Sequence, residues 1–429
     1  MENITLNKTQ RPIRIIQFGG GVFLRGFFDW MLQKANDTGI YDGNVVVVRS
    51  KTTGKDPLES QNYNYTHIAR DAEHEDITLV DCIAGSISAS EQYNEFLSLA
   101  EREETNVIVS NTTEAGIVYE KCDFDENKCP DTFPAKLCAL LYRRFIKGLD
   151  GMLIVPCELI ENNADKLKEI VLKHASDWKL GADFEEFIND KCSFRNTLVD
   201  RIVSGKPSEG VSLPYMDNSV NTSEYFHLFV IEGEADERLP LDKLGLNVKY
   251  VPSVSPYRTI KVRILNGAHT SMIPYALLEG VETVSECLKN KTISSHLERC
   301  LEQIVLSLDI DEKETRAYAK SVVERFANPY IQHRCASISL NSVSKFKVRV
   351  LPSILDYERK YGKAPSDLVV AFGKLIAFYK NGTPNDDAYA VKKLQEGTVN
   401  EILSDDSLWG QDLSRFTKEV EIYANSSKR

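Results

Sequence analysis

The sequence predicts an α/β fold, with an N-terminal domain on a parallel β-sheet and a mostly α-helical C-terminal domain. Three observations lead there. Residues 13–48 read as strand, glycine turn, helix and strand. Four consecutive valines, Val45 to Val48, match a strand buried on both faces, as in parallel sheets. After about residue 255, long helical patterns replace the strands.

The first strand is the β-branched run Ile13 to Phe18, followed at once by Gly19, Gly20 and Gly21. Val22 to Leu32 then carries apolar residues at helical spacing. Further buried strands are expected at 106–110 and 151–156, each ending in a polar segment, 111–116 and 157–163. Ligands of open parallel sheets gather outside the carboxyl ends of the strands, so these segments are candidate site loops. Another strand begins at His227. Helices are expected at 261–280, 293–308, 311–327 and 366–380. The domain boundary falls in 215–255, near Pro214 or Pro252-Ser253, and is drawn at 225/226.

Composition bounds the function. The chain has 429 residues, 42% apolar and 27% charged, an ordinary globular balance that excludes a disordered or collagen-like chain. The net charge of −11 argues against nucleic acid as the main partner. No apolar run approaches the ~18 residues of a membrane span. The N-terminus, MENITLNKTQRP, lacks the apolar core of a signal peptide, so a cytoplasmic protein is expected. The nine cysteines are scattered and the closest pair, Cys122 and Cys129, has no zinc spacing; reduced, mostly buried thiols and no dedicated metal site are expected.

Gly19 and Gly21 occupy the first two positions of a G-x-G-x-x-G turn, and Leu24 stands at the third. Glycines there let the backbone approach a pyrophosphate. The plain alternative is a tight turn without a ligand. The acid expected for a ribose 2′-hydroxyl is missing, because the second strand ends in Arg49-Ser50-Lys51. Arg49 suits a 2′-phosphate or lies along an adenine, and NAD against NADP stays open at this point.

The segment Lys261 to His269 reads as helical. At α-helical spacing, Asn266 and His269 lie ~140° and ~80° from Lys261, so the three share one broad arc. Hydride transfer to a ketone needs one proton delivered to the same oxygen. A lysine of lowered pKa delivers it, an amide hydrogen-bonds the alkoxide, and an imidazole orients the lysine or a neighbouring hydroxyl. The alternative is a surface Lys, a capping Asn and a satisfied core His.

The motif KVRILNGAHT resembles the signature of the mannitol dehydrogenase family of long-chain dehydrogenases. QFGGGVFLRGFFDW, VVVVRS, SNTTEAGI, PCELIENN, TLVDRIVSG, FHLFVIEG, RFANPYI and SISLNSVSKFKVRVLP extend the resemblance along nearly the whole chain, toward a branch acting on keto sugar acids. The resemblance implies a Rossmann-like N-terminal domain, no catalytic metal, and NAD-dependent, reversible reduction of D-tagaturonate to D-altronate. Fructuronate reduction and polyol oxidation are the alternatives within the family; a dinucleotide-binding sensor is the non-enzyme alternative. It implies Lys261 as general acid/base, Asn266 at the oxyanion and His269 in the substrate site. Asp200 and Lys345 fall at substrate-lining positions. Phe18, Gly19, Gly20, Gly21, Val22, Phe23, Arg49, Thr113 and Glu114 are the cofactor candidates, with Glu114 either on the nicotinamide ribose or capping a helix. This chain departs from the polyol enzymes in two places. Leu159 replaces an Asn, and Asn163 is the possible substitute donor. Ser337 replaces an Arg, so Arg334, His333 and Lys345 become the candidates for binding an anion.

Overall fold

The structure is a computed structural model and describes residues 4, 8–49, 56–112, 116–207 and 211–425. It forms two compact units, Met1–Val254 and Ser255–Arg429.

The first unit is built on a six-stranded sheet of Ile13–Phe18, Asn44–Arg49, Ile83–Ser88, Val107–Ser110, Leu153–Pro156 and Ser193–Phe194. Every neighbouring pair is parallel. In chain order the strands lie 3-2-1-4-5-6, the doubly wound order of dinucleotide-binding folds. Val45 and Val47 pack into the core on one face, Val46 and Val48 into that on the other. A strand walled by helices on both sides has no solvent face, so its alternation disappears, as the valine run predicts.

Two sequence expectations are corrected. The unit boundary falls at Val254/Ser255, within the expected 215–255 and beside Pro252-Ser253, instead of at 225/226. Leu228–Glu232 pairs with Thr197–Asp200 on one side and Val248–Val251 on the other, and this sheet keeps the whole stretch in the first unit. The helix expected over Val22 to Leu32 is two helices, Val22–Arg25 and Phe28–Asp37. They part at Gly26, where a Cβ would stand 2.7 Å from Val203 Cγ1 and 2.9 Å from Asn221 Nδ2. Carbonyls around this break also accept bonds from outside the helix. Arg201 Nη1 donates to Gly26 O at 2.9 Å, Tyr65 Oη to Arg25 O at 2.8 Å and Asn221 Nδ2 to Val22 O at 3.0 Å. Tyr65 and Asn221 come from a second, four-stranded sheet of Tyr65–Arg70, Glu75–Val80, Val203–Gly205 and Asn221–Glu224.

Under the turn, Asp29 is fully buried against Gln17, whose Nε2 donates to it at 3.4 Å. Burial raises its carboxyl to about 7. A raised native pKa stabilises the fold fully below the unfolded value, and that contribution is lost as pH climbs to the native one. The Asp29→Asn variant is therefore expected to gain on the wild type by about 1.4 kcal/mol per pH unit between roughly pH 4 and 7, and to hold a constant margin above. Urea midpoints at pH 5.5, 7.5 and 8.5 check this; a margin that does not change with pH contradicts it.

The second unit is helical. Gly267–Leu278 is its central helix, buried along most of its length. Lys291–Ser307, Ser342–Arg349, Ser366–Asn381 and Cys335–Ile338 pack around it. Among the described residues no helix is long and apolar enough to cross a membrane.

Candidate active site

In the first unit, the carboxyl ends of the first, second and fourth strands surround a cleft of about 320 Å³. Phe18, Gly19, Val48, Arg49 and Thr112 line it, with Phe133 and Lys136 from the helix that follows. The strand order reverses between the first and fourth strands, which is where such sheets bind ligands. Gly19 has φ +104°, and a Cβ there would lie 2.6 Å from Asn111 O. Its N–H donates to Val48 O at 3.1 Å. The turn therefore binds neighbouring strands on both sides. Gly21 has nothing within 4 Å of a built Cβ, so the backbone is open on that side. Val22 is exposed, and the Phe23 ring is stacked on Phe27 at 5.1 Å. The open backbone at Gly21, the Phe18 and Phe133 rings lining the cleft and Arg49 at the second strand end fit a dinucleotide. Thr113 and Glu114 lie outside the described residues.

Glu158 fastens the adjoining loop. It accepts from Ser110 Oγ, Thr112 N and Thr112 Oγ1, each at 3.0 Å. Burial raises its carboxyl above the usual range despite these donors. The substitute role expected of Asn163 is corrected. Its Nδ2 donates to Pro156 O at 2.9 Å, Glu158 O at 3.1 Å and Thr197 Oγ1 at 3.1 Å, and its Oδ1 accepts from Thr197 N at 3.0 Å. The amide is committed inside the fold and has no N–H left for an oxyanion. Leu159, by contrast, is exposed. Asp200 is buried at the end of Thr197–Asp200.

In the second unit, helix 255–278 contains a π-helical stretch, Lys261–Asn266. Residues i and i+5, which diverge by ~140° in an α-helix, come nearly into line where hydrogen bonds run i→i+5. Lys261 and Asn266 are five apart and bound the stretch. The arc expected from α spacing is thus narrower than predicted. Arg263 anchors the stretch from behind, donating to Ser353 Oγ at 2.7 Å and Asp356 Oδ2 at 3.0 Å.

His269 follows within the central helix and is buried. Its ring stacks on Phe326 at 4.1 Å and meets His333 edge-on at 5.2 Å. Nε2 has no hydrogen-bond partner among the described residues. Burial holds the imidazole neutral, well below its usual pKa, and His333, Arg325, Arg349 and Lys345 add to the effect. It is a neutral ring whose buried Nε2 lacks a partner, with positive charges acting on it.

Lys345 belongs to this cluster; its Nζ donates to Ile338 O at 2.9 Å, and burial lowers its pKa. Arg334 is exposed at the start of Cys335–Ile338, its backbone bridged to Thr283. Sequence reasoning missed Arg325 and Arg349. The signal for Arg349 was present, since it stands four residues after Lys345 and so on the same helix face.

Comparison with known proteins adds the following. The Mannitol dehydrogenase Rossmann domain matches residues 13–243, and the Mannitol dehydrogenase C-terminal domain matches 253–428. An altronate oxidoreductase of Yersinia enterocolitica is 39% identical over 440 residues, covering 94% of this chain and 91% of that protein. One from Escherichia coli is 39% identical over 463 residues, covering 98% and 96%. Among solved structures, a substrate-free D-sorbitol dehydrogenase superposes with a TM-score of 0.82 at 19% identity, over 96% of this chain and 93% of that one. Pseudomonas fluorescens mannitol 2-dehydrogenase, solved with NAD and D-mannitol, gives 0.73 at 19%, over 99% and 92%.

Proposed function

Because the chain belongs to the mannitol dehydrogenase family, we propose that it interconverts D-tagaturonate and D-altronate, with NAD as the dinucleotide. It is an oxidoreductase acting on a CH–OH group. The observation that carries the reading is near full-length similarity to altronate oxidoreductases, at 39% identity over as much as 98% of the chain. The preference for NAD over NADP rests on the family resemblance alone.

The dinucleotide, when bound, supplies or accepts the hydride. Gly19 to Gly21 would hold its phosphates, and Arg49 its adenosine end. Lys261 moves the proton: its ammonium protonates the new alkoxide during reduction, and its amine takes the proton back during oxidation. Asn266, near the same line on the π-helical stretch, donates an N–H to that oxygen. His269 presents Nε2 to a neighbouring hydroxyl, and its neutrality lets that nitrogen donate or accept according to tautomer. Lys345 contributes positive charge for the carboxylate of the substrate.

The test follows absorbance at 340 nm with NADH or NADPH and with D-tagaturonate, D-fructuronate or D-fructose. NADH oxidation by D-tagaturonate, with at least tenfold lower kcat/KM for the other two sugars, is expected. Preference for fructuronate or fructose would overturn the substrate, and preference for NADPH would overturn the cofactor.

A further inference from the structure

We propose that Arg349 is the primary carboxylate-binding residue, and that with Lys345 it makes this chain selective for a sugar acid over the neutral sugar of the same skeleton. The inference rests on the proposed reaction and goes beyond it by assigning a specificity residue.

Four observations carry it. First, Arg349 sits beside the catalytic helix: its carbonyl would meet a Cβ at Gly267 at 3.2 Å, and Gly267 lies directly after Asn266. Second, the Arg349 charge acts on His269, whose buried Nε2 has no hydrogen-bond partner among the described residues. Third, Arg349 is half-buried, burial lowers its pKa, and no carboxylate among the described residues pairs with it. A partly desolvated cation without a counter-ion is unfavourable in the free protein and becomes favourable when an anion arrives. Fourth, Arg349 and Lys345 are four residues apart on Ser342–Arg349, and the arginine depresses the lysine. Two like charges at that spacing repel, and an anion lying against both removes the repulsion.

The chemistry favours Arg349 over Lys345 as the main contact. Lys345 already gives one of its hydrogens to Ile338 O. The Arg349 guanidinium is a planar fork that grips a carboxylate through two parallel hydrogen bonds. His333, edge-on to His269, lies in the same cluster and is kept from charging by burial. The positive charge acting on His269 therefore comes from Arg325, Arg349 and Lys345, and of these Arg349 and Lys345 share one helix face.

The experiment compares wild type, Arg349→Ala and Arg349→Lys, as full-length proteins, on D-tagaturonate and on D-tagatose, its neutral counterpart. For Arg349→Ala, KM for D-tagaturonate is expected to rise about 100-fold with kcat within a few-fold. Turnover of D-tagatose and NADH binding should be unchanged. Millimolar guanidinium chloride should restore part of the loss, and equal sodium chloride should not. Arg349→Lys should recover only part of the affinity, because an ammonium lacks the fork. A KM within twofold of wild type overturns the assignment. So does an equal loss for acid and neutral sugar. If Arg349→Ala does not fold, Arg349→Lys decides on the same criteria. A wild type that reduces D-tagatose as well as D-tagaturonate sinks the parent reaction instead. An acid-selective wild type with an indifferent Arg349→Ala sinks this assignment alone.

Discussion

Replacing Lys261 by alanine is expected to lower kcat in both directions by ~10²–10⁴-fold, the range for losing a positioned acid/base. The cleft at the strand ends is lined by residues of the first unit, Lys261 not among them, and NADH affinity is expected to be unchanged. Fluorescence titration with NADH and steady-state kinetics with D-tagaturonate separate the two effects. Lys261→Arg sharpens the test. It keeps the positive charge, yet a guanidinium does not release its proton near neutral pH. Oxidation of altronate should then stay as slow as in the alanine variant. Turnover within tenfold of wild type for Lys261→Ala would remove the lysine from proton transfer.

Gly19→Ala is the second large effect. At φ +104°, a residue with a Cβ is strained by about 1–3 kcal/mol. The Cβ would also press on Asn111 O at 2.6 Å, a backbone atom that moves only if the strand end moves. Gly19 joins the second strand through Val48 O, so the disturbance crosses three strands at the cleft. The expected outcome is at least a tenfold rise in the NADH dissociation constant and a melting temperature lower by roughly 5–10 °C, at 2–4 °C per kcal/mol for a unit of this size. An unchanged dissociation constant with melting within 2 °C would show that the turn neither holds the sheet nor the dinucleotide.

Much of the fold was legible because its signals are local. Val45 to Val48 announced a strand without a wet face, and the two core clusters divide those valines as the pattern requires. The glycine cluster after Phe18 announced a turn, and Gly19 adopts the φ that glycine tolerates. What stayed hidden depends on partners far along the chain. Nothing around Gly26 predicts a break, because its cause is His67, Val203 and Asn221 pressing from another sheet. Asn163 read as a free donor because its acceptors, Pro156 O and Thr197 Oγ1, come together only on folding. Arg334 and Arg349 look alike in sequence; burial separates them, one exposed and one half-buried with its backbone against Gly267.

The π-helical stretch also acts as a rotation built into the chain. One extra residue within a turn offsets everything after it by about 100° relative to an unbroken α-helix. A single helical wheel drawn through 255–278 therefore mixes faces that the folded helix keeps apart. Before Asn266 the wheel is set by the π-helical stretch, in which Arg263 faces Ser353. After it, a new setting buries Ala268, Met272 and Ala276 and turns His269 onto Phe326. A homologous sequence one residue shorter here would make a more regular helix whose histidine pointed elsewhere. Residue count across 261–266, as much as residue identity, sets how Lys261 and His269 are turned relative to each other.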